Sequence, residues 1–423
     1  MTRKGNQEIL VYADWYMFDK PRLVGRLWLS SIRGKEVYSF EYEKEWIKTG
    51  ISIDPELPLF VGRQYAGSNE NFGILKDSSP DRWGQLLMIR REILLSKTEK
   101  RASRPLSGID FLLGVHDSHR MGGLRFKRSE DGDFMSNDVL LAAPPWTSLR
   151  ELEIAVEQYE KHSDELDEAS LVWINQLIAP GSSLGGARPK ADVLDLENRQ
   201  WIAKFPGRND NSDVGLWEMI VHELAFRAGI TVPKAAITRL GSPCHTFLSK
   251  RFDRTVDNRR IHYASAMTLL QRKDGDDAYS GVSYLDLVSF IRSECTEVNK
   301  NLEELFRRVL FSVCVSNTDD HLRNHGFLYT EKGWTLSPAF DINVNESGTG
   351  LKLNIDEKNN ALDINLVMST APLYLISGRR AQEIKEEVLK AVFNWRKIAA
   401  KYKIPLLETE RKAKAFKIVT RDT

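Results

Sequence analysis

Cysteine is nearly absent: Cys244, Cys295 and Cys314 are the only three among 423 residues. An odd number without paired spacing argues against a disulfide framework or a thiolate metal site, and buried thiols in a reducing compartment are the expectation. An excess of either charge is missing too. Sixty basic residues stand against 59 acidic ones, a formal net charge of +1. The surface as a whole therefore exerts no pull on nucleic acid or anionic membrane, and a DNA link has to come through a local patch or a partner. No run approaches the roughly 18 apolar residues of a membrane span. The opening "MTRKGNQEILVYADWY" turns polar and strand-like before a signal region can form, so the expected address is the cytoplasm. Internal repeats and low-complexity tracts are lacking as well. What is there is a chain 42% hydrophobic and 28% charged, long enough for two or three cores and too apolar for disorder.

Periodicity organises the rest. "EILVYAD", "RLVGRLWLSS" and "VYSFEYE" alternate as strands do and predict an antiparallel meander. "SSPDRWGQLLMIRREILL" predicts a helix with Ser79 as N-cap and Pro80 at its first position. A short helix follows at "SGIDFLLGVHD" and a strand at "MGGLRFKRS". The proline-bearing "LLAAPPWTSLR" sets a boundary before helical "LRELEIAVEQYEKHSDELDEASLVWINQL". Then come "KADVLDL", "QWIAKFP", the helix "VGLWEMIVHELAFRAG" and strand-like pieces ending in "CHTFLSKRFDR". From about residue 264 the pattern is mainly helical, broken by hairpin-like "HGFLYTEKGWTLSPAFD". The expected domains are 1–145, 146–260 and 261–423.

The stretch "SNTDDHLRNHGFL" packs Asp319, Asp320, His321, Asn324 and His325 together and is too polar for ordinary core. Before it, Leu302, Leu305, Phe306, Val309 and Val313 recur at helical spacing and predict a buried helix that delivers Asp319 at its end. Asn324 follows five positions later. That acid-to-amide spacing is the one in a kinase catalytic loop, where the acid accepts the proton of the attacking hydroxyl and the amide ligates magnesium. Downstream, "LSPAFDIN" places Asp341 after a hairpin and an aromatic, where a kinase carries its second magnesium-binding carboxylate. Oxygen ligands such as these suit a hard cation. Each polar residue taken singly could equally cap a helix or form a turn; jointly they point to chemistry.

Upstream, "APGSSLGGARPKADVLD" is a second constellation. Gly185 and Gly186 let backbone amides approach a phosphate chain, and Arg188 and Lys190 add positive charge before a strand. A plain polar turn is the competing reading. "QWIAKFP" sets Lys204 on the same strand face as Ile202. An inward lysine needs an anion: a nucleotide phosphate, or Glu218 or Glu223 on the next helix. A snorkelling edge lysine also accounts for it, but leaves the glycine loop unexplained.

In this order and at these separations, "SSLGGARPK", "WIAKFP", "SKRFDR", "NTDDHLRN" and "SPAFDIN" resemble the HipA family of serine/threonine kinase toxins. The N-terminal meander is similar to that family's own N-terminal subdomain, so the resemblance covers nearly the whole chain. It implies an α+β, bilobal protein-kinase-like fold with an added N-terminal mixed β subdomain and a mainly helical C-terminal lobe. By the same resemblance Asp319 is the catalytic base, Asn324 and Asp341 ligate Mg2+, and Lys204 meets the α/β-phosphates of ATP. Gly185, Gly186, Ala187, Arg188, Pro189 and Lys190 lie over the nucleotide, Lys250, Arg251 and Phe252 at the adenine edge, His321 and Arg323 beside the phosphates, and Phe340 just before Asp341. Ser183, with Ser182 beside it, falls at the family's autophosphorylated loop serine. Lys250 departs from the family's best-known form, which has an acidic residue there. The implied partners are a HipB-like helix-turn-helix antitoxin, operator DNA mainly through that antitoxin, and a protein substrate such as an aminoacyl-tRNA synthetase.

Two other classes compete. A metal-dependent hydrolase would use Asp319, His321, His325 and Asp341, since histidines four apart share a helix face. Gly326 would end such a helix, however, and a hydrolase has no use for the glycine loop or Lys204. A catalytically inactive nucleotide-binding or antitoxin-docking module is the third class, yet every group that phosphoryl transfer needs is present.

Overall fold

The computed structural model describes residues 7–32, 35–67, 71–138, 143–162, 168–178 and 188–421. The chain packs into two compact units, Met1–Asn209 with Asp253–Ala264, and Asp210–Phe252 with Ser265–Thr423. Residues 145 and 260, where domain boundaries were expected, both fall inside the first.

The predicted meander opens the first unit. Strands β1 (Gln7–Ala13), β2 (Arg22–Ile32), β3 (Lys35–Tyr42), β4 (Gln64–Tyr65) and β5 (Leu124–Lys127) form one sheet in the order β4-β3-β2-β1-β5. Each neighbouring pair is antiparallel. Ile9, Leu10 and Val11 of β1 are all buried, so this central strand is covered on both faces and loses the alternation of a half-exposed one. Gly25 of β2 has no room for a side chain, because a Cβ would run into the Glu41 carbonyl and the Phe40 ring.

The helix that follows starts later than predicted. It spans Arg82–Thr98, and its N-cap is Asp81, whose Oδ1 accepts from the Gly84 amide at 2.9 Å. Asp and Ser cap about equally well, and Ser79 is engaged elsewhere, donating to the Leu75 carbonyl at 2.7 Å. The other Asp81 oxygen takes Lys190 Nζ at 2.6 Å. Lys190 begins β6 (Lys190–Leu194), which pairs antiparallel with β7 (Gln200–Lys204), Lys190 opposite Lys204. Like charges directly opposite repel; Asp81 supplies the counter-charge to one of them. The segment Asp253–Ala264 belongs to this unit by contact: Asp253 Oδ2 accepts from the Gly122 amide at 2.8 Å, and His262 stacks on Trp15 at 4.4 Å between ring centroids.

The second unit is mainly helical, as expected. Its helix Val214–Arg227 is capped by Asp213, and strands Ala235–Thr238 and Thr246–Lys250 form an antiparallel hairpin. The helix Val298–Val315 buries Leu302, Leu305, Phe306, Val309 and Val313 completely. Its burial extends beyond that stripe to Arg307 and Arg308, which reach Glu303 and Glu304 one turn back. The predicted hairpin follows, pairing Gly326–Thr330 with Gly333–Leu336. C-terminal helices close the unit, with Trp395 stacked on Phe416 at 4.3 Å. Among the described residues no helix is long and apolar enough to cross a membrane.

Candidate active site

The loop of interest begins where the Val298–Val315 helix stops. Ser316 takes a left-handed backbone, φ +51°, and is tied down by its hydroxyl, which donates to the Ala415 carbonyl at 2.8 Å. The chain then turns through Asn317, buried, to Asp319, exposed. The Asp319 carbonyl accepts from the His321 amide at 2.9 Å and from Asn324 Nδ2 at 3.1 Å, so the Asn324 side chain is tied to the backbone of Asp319. Leu322–Asn324 is a single 3-10 turn with His321 at its N-cap. The Asp319 carboxylate itself makes no hydrogen bond among the described residues. Asn324 Oδ1 and His321 Nδ1 are buried and equally without a partner there. Buried polar atoms of this kind call for an explanation, and a bound ligand or ion is one of them.

Asp320, to which the sequence reading gave no role, is its neighbour's opposite. It is 6% exposed. Oδ2 accepts from the Tyr284 hydroxyl at 2.7 Å and from Ser312 Oγ at 3.3 Å. Oδ1 lies 3.0 Å from His325 Nε2, at ion-pair distance but off the line of a well-aligned hydrogen bond. Burial pushes this carboxyl upward, yet the adjacent His325, its contact and the Tyr284 hydroxyl together hold it below the usual carboxylate value. Burial also raises the Tyr284 phenol well above its ordinary value. A carboxylate two hydroxyls can donate to was detectable only as a second Asp in "TDD".

After the hairpin, Asp341 also adopts the left-handed region, φ +56°, which Asp tolerates better than most residues. Its Oδ1 accepts from Asn343 Nδ2 at 3.3 Å, and the Asn343 amide donates to Asn317 Oδ1 at 3.2 Å. The acid of the second loop is thereby linked to the first. Phe340 meets Phe252 at 5.3 Å between ring centroids, which brings the "SKRFDR" and "SPAFDIN" motifs together. Within the first of these, Lys250 is half-buried and its amide donates to the Lys234 carbonyl at 2.8 Å, while Arg251 is buried. Arg323 stands 3.7 Å from Asp274.

The upstream constellation divides. Ser182, Ser183, Gly185, Gly186 and Ala187 lie outside the described residues. Arg188 Nε donates to the Phe205 carbonyl at 3.1 Å, and the carbonyl of buried Pro189 accepts from the Phe205 amide at 2.9 Å. Lys204 is half-buried. Lys190 is fully buried and its charge is met by Asp81, which gives it a structural function that its place in the motif did not disclose. Of the two acids considered for Lys204, Glu218 is buried, and Glu223 holds Lys401, Arg227 and the Tyr402 hydroxyl.

The hydrolase arrangement is not assembled. His321 and His325 flank a 3-10 turn instead of sharing an α-helical face. His325 faces Asp320 and meets the Tyr284 ring edge-on at 5.7 Å. Among the described residues no three His, Cys, Asp or Glu side chains come together as a metal-holding group.

Comparison with known proteins bears on the family and the fold. The model of the HipA-like C-terminal domain family matches residues 182–396. A Haemophilus influenzae protein named "Putative kinase" is 27% identical over 180 residues, covering 38% of this chain and 52% of that protein. The match thus spans about half the length of that relative. The HipA chain of Shewanella oneidensis, solved in a complex of HipA, HipB and operator DNA, superposes with a TM-score of 0.67 at 17% identity, over 98% of this chain and 97% of that one. The fold is HipA-like over almost its full length.

Proposed function

Since the chain belongs to the HipA-like C-terminal domain family, we propose that it is an ATP- and Mg2+-dependent serine/threonine protein kinase, the toxin of a HipA/HipB-like toxin-antitoxin pair. The observation that carries this reading is the pairing in one loop of Asp319, exposed and unpartnered among the described residues, with Asn324, whose amide oxygen is buried and orphaned. The residues fit the cation: an orphaned amide oxygen and the Asp341 carboxylate are hard oxygen donors of the kind magnesium takes. Bound there, the ion would neutralise charge developing on the transferred phosphoryl group.

The remaining steps belong to the chain. Asp319 orients the substrate hydroxyl and accepts its proton, a role for which an accessible carboxylate free of other donors is suited. Asn324 and Asp341 would hold the metal, and Asn324 Nδ2 is tied to Asp319 through the 3.1 Å bond to that residue's carbonyl. Lys204 contacts the α/β-phosphates, with Arg188, His321 and Arg323 adding charge or hydrogen bonds around the phosphate chain. Phe252 and Phe340 form an apolar pair beside which the adenine lies, next to Lys250 and Arg251. Positioning and charge neutralisation dominate such a transfer. Autophosphorylation on Ser183, or on Ser182, would place roughly −1.5 to −2 charge beside the ATP phosphates and switch the enzyme off. The regulator is a HipB-like helix-turn-helix antitoxin that supplies most of the operator-DNA contact, in keeping with the +1 charge of this chain. The substrate class is a cytoplasmic protein hydroxyl, an aminoacyl-tRNA synthetase being the candidate to test first.

The test is phosphoryl transfer to proteins of a cell lysate from ATP and magnesium, read by phosphopeptide mass spectrometry against an Asp319→Asn control. New phosphosites that require Asp319 support the reading; identical phosphopeptides with both proteins overturn it.

A further inference from the structure

Phosphoryl transfer as proposed requires two loops in fixed register, one carrying Asp319 and Asn324, the other Asp341. We infer that Asp320 and Asn317 are positioning residues that lock these loops together through a buried chain of hydrogen bonds, an inference that rests on the kinase reading above.

The chain can be followed atom by atom. It starts at the Tyr284 hydroxyl, which donates to Asp320 Oδ2 at 2.7 Å. Ser312 Oγ donates to the same oxygen at 3.3 Å and accepts from Asn317 Nδ2 at 3.4 Å. Asn317 Oδ1 then accepts from the Asn343 amide at 3.2 Å, and Asn343 Nδ2 reaches Asp341 Oδ1 at 3.3 Å. Tyr284, Asn317, Ser312 and Asp320 are 0, 2, 4 and 6% exposed, respectively. Water is therefore largely excluded from the links among these four residues, which are stronger than they would be at the surface, while the two links through Asn343 are half-buried.

Three features assign this chain to positioning. First, it ends on the acid predicted to hold the metal and passes through the residue two positions before the predicted base. Second, both loops contain a left-handed non-glycine residue, Ser316 at φ +51° and Asp341 at φ +56°. Backbone of that kind persists where its surroundings over-determine it. Third, the polar groups divide cleanly: those of Asp320 and Asn317 are engaged, whereas the Asp319 carboxylate and Asn324 Oδ1 are not, among the described residues. Successive side chains diverge, so anchoring Asp320 inward turns Asp319 outward. A carboxylate suits the anchor because it only accepts, and it is met by two hydroxyl donors and His325. Asparagine at 320 would present an NH2 group there.

The experiment has two arms, run on full-length protein carrying Asp320→Asn, Asn317→Ala or Tyr284→Phe. In the first, amide hydrogen exchange is followed without metal or nucleotide. Faster exchange is expected in both segments, 316–326 and 339–345, with the Val214–Arg227 helix unchanged. Acceleration confined to one of the two segments overturns the coupling. In the second, ATP turnover with magnesium is measured: kcat should fall about 10- to 100-fold, as for substitutions behind a metal ligand, and the magnesium concentration for half-maximal rate should rise. KM for ATP should stay within about 3-fold, since the ground-state contacts are left in place. An unchanged kcat overturns the positioning role even if exchange is altered. Should Asp320→Asn fail to fold, Tyr284→Phe removes one donor to the same oxygen and carries both arms. Wild-type protein that transfers no phosphate defeats the kinase reading and the catalytic arm with it, whereas the exchange arm needs no turnover and still decides whether the loops are coupled.

Discussion

Two regions of this molecule bury polar groups to opposite ends. In the first unit several buried charged groups have close partners. Lys190 meets Asp81 at 2.6 Å with side-chain exposures of 1 and 0%, and Arg254 meets Asp253 at 2.6 Å with 3 and 0%. His119 and Asp192 stand 3.1 Å apart in full burial, and Arg120 donates to the carbonyls of Ser78, Leu112 and Val115. In the loop after Val315 the exposed Asp319 carboxylate makes no hydrogen bond among the described residues, and neither do four buried atoms: His321 Nδ1, Asn324 Oδ1 and both ring nitrogens of His325, whose Nε2 stands at ion-pair distance from Asp320. The lesson concerns how charge should be read: a lysine beside a glycine-rich motif is not a phosphate ligand by position alone, whereas an orphaned amide oxygen next to an unengaged acid is a sign of chemistry. Matched pairs in the interior contribute little net stability against their desolvation cost, but losing one partner is expensive.

That contrast can be broken in several places. The largest effect should come from Asp319→Ala, which removes the base from an exposed position: turnover falls by about 10²–10⁴-fold, while stability by urea unfolding moves less than about 0.5 kcal/mol. Near-normal turnover, or a variant that unfolds, would put Asp319 in the wrong category. Lys190→Ala should do the reverse. Leaving the Asp81 carboxylate buried without Lys190 costs roughly 3–5 kcal/mol, readable as a shift in denaturation midpoint, and Asp81→Asn combined with Lys190→Met, which keeps a capping side chain, should recover part of it. A Lys190→Ala protein of normal stability that no longer binds ATP would return this lysine to the nucleotide site.

The pH dependence sharpens the same contrast. Burial pushes His262 down to about 3 and Asp54, 1% exposed, up to about 6. A histidine depressed in the folded state gives stability that is complete above its unfolded value near 6.5 and lost as pH falls toward 3. A carboxyl raised in the folded state behaves oppositely: its contribution is complete below the unfolded value near 3.9 and lost as pH rises through 6. Between pH 6 and 4 the two slopes therefore oppose, each integrating to a few kcal/mol, on the order of 1.4 per unit. His262→Phe should flatten the acid loss of stability, and Asp54→Asn should steepen it; parallel curves for all three proteins would contradict the assignment. The smallest effect belongs to the surface. Arg379 is 92% exposed at its side chain and pairs with Glu383 at 3.1 Å, so Arg379→Ala should change the unfolding free energy by less than about 0.5 kcal/mol.

Much of this was legible in the sequence, and the exceptions have physical reasons. The meander, the Val298–Val315 helix and the hairpin before Asp341 follow from periodicity, because burial acts on every second or every third to fourth residue. Asp319, Asn324 and Asp341 stand out in the sequence because their spacing is set by the reaction they are proposed to serve. Asp320 and Asn317 were not. Their partners Tyr284, Ser312 and Asn343 lie 36, 5 and 26 residues away, respectively, and a bond between such positions leaves no local pattern. The late start of the Arg82–Thr98 helix has a similar origin: Ser79 and Asp81 are both good caps, and the choice falls on the residue that also meets Lys190, 109 positions on. The glycine-rich loop offered Lys190 as a charge beside a phosphate chain, and nothing local to that motif could tell that Lys190 turns into the core to meet Asp81.

The central claim, that Asp319 serves as the base of a phosphoryl-transfer enzyme, is tested most directly by the intact mass of the purified protein after incubation with ATP and magnesium, beside Asp319→Asn treated identically. The account predicts one added phosphate on the wild-type chain, located at Ser183 or Ser182, and none on the variant. Equal phosphorylation of both proteins, or of neither under conditions where ATP is bound, would contradict it.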